Sequence, residues 1–320
     1  MPHRRLEKLD LDSSPTLIKL SVNKPTLPGD NLPRGDQRVG VGDGDWDLCI
    51  DANQSSYSVQ LGELWRYRDL LYLFVRRDIV SFYKQTILGP LWLAIQPVLT
   101  TLIYMLVFGR IANLKTDDLP QVLFYLSGVT LWNYFSECFN KTATVFRDNA
   151  PLFGKVYFPR VIAPASIVVS NLFRFAIQFL LFLVGLAWYL SAGEVNPNWM
   201  VLLFPVVVFD MAVIALSMGM IFSALTTKYR DLVFLLQFGV QLLMFATPVI
   251  YPASQMPDSI RSVLSWNPLY PLFETTRYGF LGAGDATLWG MVYATVFAML
   301  SFLLAVVIFG RVERSFMDTV

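Results

Sequence analysis

Few side chains of this 320-residue sequence belong to the types that enzymes use for acid–base, nucleophilic or metal chemistry. The single histidine, His3, lies in a polar N-terminal stretch, so histidine catalysis and histidine metal clusters are not expected. The two cysteines, Cys49 and Cys138, are far apart and form no C-x-x-C pair, which excludes a disulfide framework and a cysteine zinc site. No G-x-x-x-x-G-K-[ST] motif occurs, so we expect neither a P-loop, nor a cofactor, nor a metal in this chain.

Two charged residues, Arg174 and Asp210, stand well inside long apolar runs. A lone charge within a membrane costs about 3 kcal/mol on insertion scales, so a partner or a polar cavity is expected. Counted from the predicted inner ends of their runs, the two residues lie about 20 and about 26 Å deep at a rise of 1.5 Å per residue. Because long side chains can bridge that difference, the sequence predicts an Arg174–Asp210 ion pair.

The composition is that of a membrane protein. Hydrophobic residues make up 55% of the chain, charged residues only 15%, and the mean hydropathy is +0.49. Soluble globular chains have about 25% charged residues, so a soluble enzyme with a large core is not expected. The net charge of +1 gives no support for nucleic-acid binding.

The hydrophobic residues are concentrated in six long runs. These cover about residues 87–109, 119–139, 161–190, 199–227, 232–250 and 286–310. Each run is close to 20 residues or longer, which suffices to cross about 30 Å of hydrocarbon. The sequence therefore predicts an all-α integral membrane protein whose six transmembrane helices belong to one domain, residues 59–320.

A charged amphipathic helix is predicted just before the first run, over residues 61–85. At about 100° per residue, its apolar face carries Leu64, Leu71, Val75, Ile79 and Phe82. Its charged face carries Arg66, Asp69, Arg76, Arg77 and Lys84. Such a helix beside a membrane span is expected to lie in the membrane interface, and a soluble surface helix is the alternative.

Two further segments differ from the apolar runs. Residues 251–285 contain Pro252, Pro257, Pro268 and Pro271 among apolar residues, so they are too broken to span and too apolar for a solvated loop. They are predicted to form a re-entrant pair of short helices in the outer leaflet, between spans five and six. Residues 1–58 are polar and rich in Pro, Gly and Asp, which predicts a flexible cytoplasmic tail, with a small regulatory or docking element as the alternative.

The distribution of Lys and Arg predicts the orientation of the spans. With the N-terminus placed inside, thirteen Lys and Arg residues fall in the cytoplasmic connections and four fall outside. Cytoplasmic connections carry an excess of these residues, so both termini are expected to be cytoplasmic.

Five segments, read in chain order, carry a resemblance to a known family. They are Leu73–Gly109 (LFVRRDIVSFYKQTILGPLWLAIQPVLTTLIYMLVFG), Leu152–Pro164 (LFGKVYFPRVIAP), Tyr229–Leu232 (YRDL), Thr247–Pro252 (TPVIYP) and Trp266–Leu281 (WNPLYPLFETTRYGFL). Together they resemble the membrane subunits of ABC-2 type exporters for polysaccharides, which are the permeases for O-antigen, capsule and teichoic acid precursors. The resemblance covers about residues 61–320.

The resemblance implies a homodimer of six-span subunits in the bacterial inner membrane. Each dimer is then joined to two copies of a separate ATPase subunit, which binds ATP and Mg²⁺ and drives a lipid-linked glycan outward. The resemblance also implies that the chain itself is a transport subunit and not an enzyme. Its surroundings are membrane lipids, and no nucleic acid is expected among its partners.

Residues 145–160, VFRDNAPLFGKVYFPR, match the family's coupling helix, the cytoplasmic segment that inserts into the ATPase. Asp148 or Asn149 can cap a short helix, and Pro151 suits its first turn. Apolar residues of this segment, Phe153, Val156, Tyr157 and Phe158, are expected to face a groove in the partner. A plain positively charged loop is the alternative. The residues expected to contact the ATPase are Arg147, Asp148, Asn149, Pro151, Leu152, Phe153, Lys155 and Tyr157, with Tyr229, Arg230 and Asp231 in a second, shorter contact.

Other residues are candidates for the translocation path. The aromatic side chains Tyr104, Phe108, Trp132 and Tyr134 could stack on sugars, and an interfacial aromatic belt is the alternative. Gln237 and Gln241, one turn apart, either line a pore or form interhelical hydrogen bonds. Arg174 has a second interpretation, in which it faces the path and meets a pyrophosphate. Glu274 and Arg277, three residues apart, either form an ion pair or gate the outer exit.

Two other functions remain open at this point. One is an ABC-2 exporter of a small lipid or a drug, which shares the architecture. The other is an intramembrane enzyme that modifies glycans, such as a glycosyltransferase or acyltransferase. The enzyme hypothesis is weakened because the predicted spans contain no histidine and no paired carboxylates.

Overall fold

The computed structural model of the chain describes residues 66–84, 89, 91–153 and 158–317. All of them belong to the second of two units into which the chain divides, Tyr57–Val320, and the predicted tail at residues 1–58 lies outside the described residues. Every regular element within the described ranges is a helix. The α-helices are α1 (Arg68–Tyr83), α2 (Leu91–Tyr104), α3 (Gln121–Ala143), α4 (Val145–Asp148), α5 (Ala150–Phe153), α6 (Ile162–Ser191), α7 (Phe204–Lys228), α8 (Leu232–Phe245), α9 (Asp258–Leu264), α10 (Tyr270–Leu281) and α11 (Leu288–Met317).

Four helical segments of the described chain are long and apolar enough to cross a membrane. They are Leu91–Ile111, Ile162–Ser191, Trp199–Lys228 and Leu288–Gly310. The first comprises α2 and a π-helix, Met105–Ile111, that continues it, and the third comprises a 3₁₀ turn, Trp199–Leu203, and α7. Helix α8 is equally apolar but has only 14 residues. This all-helical architecture confirms the predicted class.

Helix α3 is the centre of the packing. It contacts α2, α6, α7, α8 and α10, and most of its 23 residues are buried. Its length is about 34 Å at 1.5 Å per residue. Its polar residues Asn133, Glu137 and Lys141 are only partly buried and contact polar side chains of α6. These residues lower its hydropathy below that of the four apolar segments.

The bounds of the predicted runs agree with the helices to within four residues, with two exceptions. Helix α11 continues to Met317, beyond the predicted end at residue 310. The fifth run was expected to extend to residue 250, but α8 ends at Phe245. Pro248 accounts for the difference, since proline lacks an amide donor and disfavours helical backbone in the residue before it. Residues Thr247–Ile250 turn back and are buried instead.

The segment between α8 and α11 forms the two short helices that the sequence predicts. Helix α9 lies at the surface, with Ile260 and Val263 exposed, whereas α10 is buried along almost its whole length. Four polar residues in a row, Glu274 to Arg277, lie in this buried helix. Glu274 and Arg277 pair with each other, and the Thr276 hydroxyl donates to the Leu272 carbonyl.

Helix α1 packs lengthwise on α6. Phe74 is its most buried residue, and its ring meets that of Phe158 edge to face at a centroid distance of 5.6 Å. The charged face is as predicted, because Arg66, Asp69, Arg76, Arg77 and Lys84 are all exposed. Of the predicted apolar face, Leu71 packs against the cluster that contains Phe74, as Leu70 does, and Val75 and Ile79 are partly buried. The side chains of Leu64 and Phe82 lie outside the described residues.

Candidate functional site

The segment after α3 consists of two single-turn helices, α4 and α5. The Asp148 carboxylate accepts a hydrogen bond from the Thr144 hydroxyl at 2.6 Å and pairs with Arg147 at 3.0 Å. The Asn149 amide donates backward to the Val145 carbonyl at 3.0 Å, so it stabilises the turn before it and does not cap α5. Arg147, Asp148 and Pro151 are exposed, which leaves a small charged and apolar surface available to a partner.

The aromatic residues of this segment point into the subunit. Phe153 and Phe158 are buried in one cluster with Phe146 and Phe309, and the rings of Phe146 and Phe309 stack at 4.7 Å. The prediction that Phe153 and Phe158 present their side chains to a partner is therefore wrong. The physical reason is that α1 and the end of α11 cover these rings, a contact that periodicity along one segment does not reveal. Lys155, Val156 and Tyr157 lie outside the described residues.

The second predicted contact, Tyr229 to Asp231, links α7 to α8, and its three residues are exposed. The Thr226 hydroxyl, near the end of α7, donates a hydrogen bond to the carbonyl of Ala143, the last residue of α3. This bond brings the end of α7 next to the start of α4. The two segments expected to contact an ATPase thus lie at the same end of the helices, and their role in that contact stays a prediction.

The predicted Arg174–Asp210 ion pair is absent from the described structure. Arg174 instead pairs with Glu137 of α3 at 3.1 Å, and Lys141 pairs with the same carboxylate oxygen at 3.1 Å. The depth of a residue along its helix does not tell which neighbour it faces, and α6 directs Arg174 toward α3. One sequence signal was available: Glu137 and Lys141 have the i, i+4 spacing of a helical ion pair.

Asp210 has a different partner on another helix. It is fully buried, and its Oδ2 accepts a hydrogen bond from the Thr295 hydroxyl of α11 at 2.7 Å. Its Oδ1 has no hydrogen-bond partner among the described residues. Asp210 therefore contributes to the packing of α7 on α11 and does not pair with Arg174.

The side chains around Glu137 form a polar pocket of about 150 Å³ between α2, α3 and α6. Gln96 comes from α2, and Asn171 and Gln178 come from α6. The Asn133 amide donates to Gln178 at 3.3 Å, and the Lys141 ammonium donates to Asn171 at 3.5 Å. The remaining lining residues are Leu93, Tyr134, Ser136, Arg174 and Phe175. The pocket combines one cation, Arg174, with one carboxylate and several amides within otherwise apolar helices, and Lys141 pairs with that carboxylate.

A second charged pair lies near the start of α3, at the opposite end of that helix from α4 and α5. Glu274 and Arg277 of α10 are both buried and pair at 3.3 Å, so the ion pair predicted as one of two alternatives is formed. Arg277 donates to the carbonyl of Val249 at 2.7 Å, and its guanidinium carbon lies 3.8 Å from the centre of the Phe124 ring. Burial raises the pKa of Glu274, and the nearby Arg277 acts in the opposite direction. The pair thereby connects α10, α3 and the turn after α8, and a gating role stays a prediction.

The residues predicted to line a translocation path are divided between the core and the surface. Trp132 and Tyr134 are buried in the packed core, although Tyr134 borders the polar pocket. Tyr104 and Phe108 are half-buried at the junction of α2 with its π-helix, with ring centroids 5.6 Å apart. Gln237 and Gln241 are exposed on α8, on the same surface as the large apolar side chains Phe234, Phe238 and Leu242.

The chain is similar in sequence to known membrane transporters. The sequence pattern of the ABC-2 type transporter family, ABC2_membrane, matches residues 69–281. The O-antigen export system permease protein RfbA of Myxococcus xanthus is 36% identical over 216 residues, which cover 67% of this chain and 80% of that protein.

More distant relatives match over a larger share of their own length. The O-antigen export system permease protein RfbA of Klebsiella pneumoniae is 23% identical over 253 residues, or 78% of this chain and 94% of that protein. The polysialic acid transport protein KpsM of Escherichia coli is 22% identical over 256 residues, or 76% of this chain and 93% of that protein.

Proposed function

The chain belongs to the ABC-2 type transporter family, and we propose that it is the permease subunit of an ABC exporter that moves a lipid-linked, O-antigen-like polysaccharide across the inner membrane. The observation that carries this proposal is the match over residues 69–281, together with relatives named for O-antigen export and polysialic acid transport. The fold agrees with it, because the chain is a multi-pass membrane protein with long apolar helices.

In this proposal ATP is hydrolysed by a separate subunit that binds the end of the helix bundle where α3, α4 and α7 meet. The exposed Arg147, Asp148 and Pro151, with Tyr229 to Asp231 nearby, are the described residues that support such a contact. The chain is a transport subunit and not an enzyme on this proposal.

The proposal also includes six membrane crossings with both termini in the cytoplasm. Helices α3 and α8 supply the two crossings beyond the four apolar segments, and the excess of Lys and Arg at the coupling end supports the orientation. Two copies of the chain are expected to face each other through the surface of α8 that exposes Gln237 and Gln241. Exposed amides on an apolar membrane helix are stabilised by a partner helix or by a water-filled path, and not by lipid.

One experiment tests the proposal directly. The chain is co-expressed with the ATPase subunit encoded beside it, and the purified complex is assayed for ATP hydrolysis with a panel of lipid-linked glycans. We expect one glycan class to stimulate hydrolysis several-fold, and the ATPase subunit without the permease serves as the control. Stimulation by a small amphiphile and by no glycan would favour an exporter of small lipids or drugs. Modification of a lipid-linked sugar by the purified chain alone would favour an enzyme.

A further inference from the structure

We propose that Asn267 and Arg277 are positioning residues that hold one end of α8 as a fixed point, about which the helix rotates when its other end is displaced. The fixed end is the one at Phe245, called here the distal end because it is remote from the connection to α7. The inference rests on the proposed function for the ATPase and for the second copy of the chain, and it deepens that function by naming the helix that moves.

Asn267 binds the distal end of α8 directly. Its side-chain amide donates to the carbonyl of Ala246 at 2.9 Å and to the Thr247 hydroxyl at 2.8 Å. Its amide oxygen accepts a hydrogen bond from the Leu269 backbone amide at 3.0 Å, so the side chain is oriented by the residue just before α10. The last carbonyls of a helix lack partners within the helix. Asn267 satisfies one of them and thereby joins α8 to the start of α10.

Arg277 of α10 binds the chain just beyond α8. Its Nη2 donates to the carbonyl of Val249 at 2.7 Å, and its Nη1 donates to the carbonyl of Tyr251 at 3.4 Å. The same buried guanidinium pairs with Glu274 and lies over the Phe124 ring of α3. A planar guanidinium makes several such contacts in fixed directions. Releasing them would leave a buried charge without its partners, which is costly, so the contact is a firm one.

Helix α10 is a suitable anchor because it is itself packed on all sides. It contacts the 3₁₀ turn before α7, as well as α3, α7 and α11, and nearly all of its residues are buried. The side-chain amide of Asn198 donates to the carbonyl of Tyr278 at 2.7 Å, and its backbone amide donates to the carbonyl of Gly279 at 2.9 Å. Closely packed interiors deform little. The distal end of α8 is therefore connected to the rigid part of the subunit.

The rest of α8 is held far less firmly within this chain. Of its 14 residues, Val233 and Val240 are buried. Among the described residues, the polar contact between an α8 side chain and another helix runs from the Tyr104 hydroxyl to the Met244 sulfur at 3.6 Å, and it too lies in the last turn. Segments with few buried contacts are the ones that move most readily. Rotation about the distal end therefore disrupts few of the contacts that α8 makes.

The other end of α8 is where the proposed ATPase contact would act. The exposed residues Tyr229 to Asp231 immediately precede the helix. Tyr229 has extended backbone, with φ −126° and ψ 105°, so α7 and α8 do not form one continuous helix. Short connections of this kind can absorb the backbone changes of a hinge. When one end of a helix is fixed and the other is displaced, the displacement grows in proportion to the distance from the fixed end.

Pulsed double electron–electron resonance can measure this motion between two copies of the chain. Four exposed residues of α8, about 18, 12, 6 and 1.5 Å from Ala246 along the helix axis, are replaced one at a time by a spin-labelled cysteine in a Cys49→Ser background: Phe234, Phe238, Leu242 and Phe245. The complex with the ATPase is measured in lipid nanodiscs, first without nucleotide and then after trapping with ATP and vanadate. We expect the change in distance to be largest at position 234 and to decrease steadily toward position 245.

Two variants release the fixed end. Asn267→Asp keeps the acceptor for the Leu269 amide but removes the donor to the Ala246 carbonyl. The double variant Glu274→Gln/Arg277→Met removes the bonds to the carbonyls beyond α8 without leaving either buried charge unpaired. In both variants we expect the change at position 245 to rise toward the change at position 234. A loss of stability alone would lower the melting temperature and would not alter the ratio of these two changes.

The matched control is Thr276→Val. The Thr276 hydroxyl donates to the Leu272 carbonyl within α10, so its removal leaves the contacts with α8 intact and should preserve the wild-type ratio.

Several outcomes would overturn the inference. Equal changes at the four positions, or no change at any of them, would exclude rotation about the distal end. A largest change at position 245 would place the fixed point at the other end of α8. Wild-type ratios in both variants would exclude the two residues as its cause. The expected ratios in a complex whose ATPase no glycan stimulates would support the fixed point and contradict only the proposed function.

Discussion

Gly219 of α7 marks a close approach of two helices at the scale of a single residue. A methyl group at this position would lie 2.5 Å from the Cβ of Thr142 on α3, and α3 is the helix around which the others pack. Gly239 of α8 is the opposite case, because nothing lies within 4 Å of the methyl group that alanine would add. The two glycines thus offer a matched pair of substitutions within apolar helices.

We predict that Gly219→Ala destabilises the protein by about 1 to 3 kcal/mol, the usual cost of adding a methylene to a packed interior. Gly239→Ala is expected to be neutral or stabilising by about 0.5 to 1 kcal/mol, since alanine favours the helix over glycine. Thermal unfolding in detergent, followed by a thiol-reactive dye that labels the buried Cys138 in a Cys49→Ser background, compares the two variants. Equal melting temperatures for both variants would contradict the close contact.

Individual residues also show what one sequence can and cannot predict. Arg174 and Asp210 were recognised as unusual because their charges interrupt apolar runs, and both turned out to have polar partners on another helix. The identity of those partners could not be predicted, since it depends on which helix faces α6 and which faces α7. Glu274 and Arg277 were easier, because a spacing of three residues within one helix brings the side chains together without any tertiary information.

At the scale of helices, the segment formed by α4 and α5 has two sides with different tasks. Its buried side, with Phe146 and Phe153, belongs to the aromatic cluster that includes Phe158 and Phe309. Its exposed side contains Arg147 and Pro151. Stability and coupling to an ATPase should therefore respond to different substitutions.

We predict that Phe153→Ala lowers stability by about 3 to 5 kcal/mol, because it leaves a cavity among packed rings. Pro151→Ala should leave the melting temperature close to that of the wild type and reduce glycan-stimulated ATP hydrolysis in the complex. Thermal unfolding of the permease and ATPase assays of the assembled exporter measure the two effects. A Phe153→Ala protein that melts like the wild type but fails to stimulate hydrolysis would place Phe153 at the partner surface after all.

The extent of most helices followed from the length of the apolar runs, because a membrane span needs about 20 such residues and proline or charged residues end the run. The predicted fifth run was longer than helix α8. Residues 246–250 remain mostly apolar after the helix has ended, and their backbone turns at Pro248. The buried α10 was expected only as a broken, apolar segment. Its burial depends on contacts with α3, α11 and the turn after α8, and none of these contacts is encoded in local periodicity.

At the scale of the whole molecule, the exposed face of α8 predicts where a second copy would meet this chain. Single cysteines placed at Gln237 or Gln241, in a Cys49→Ser background, should be joined into covalent dimers by a flexible bis-maleimide in native membranes. Leu300 of α11 is also exposed, and a cysteine at that position serves as the control that is not expected to be joined. Dimers at Leu300 and not at Gln237 or Gln241 would move the interface to α11. The buried Cys138 makes a background without that cysteine unnecessary.

The aromatic cluster that contains Phe146, Phe153, Phe158 and Phe309 has a consequence for engineering chimeric exporters. Phe153 and Phe158 belong to the segment that is proposed to meet the ATPase, but the cavity they fill is formed by Phe74 of α1, Met220 of α7 and Phe309 of α11. A segment grafted alone from another transporter would bring side chains shaped for a different cavity. A permease that is to work with a different ATPase subunit therefore needs residues 145–160 exchanged together with positions 74, 220 and 309, whose side chains contact the rings of that segment.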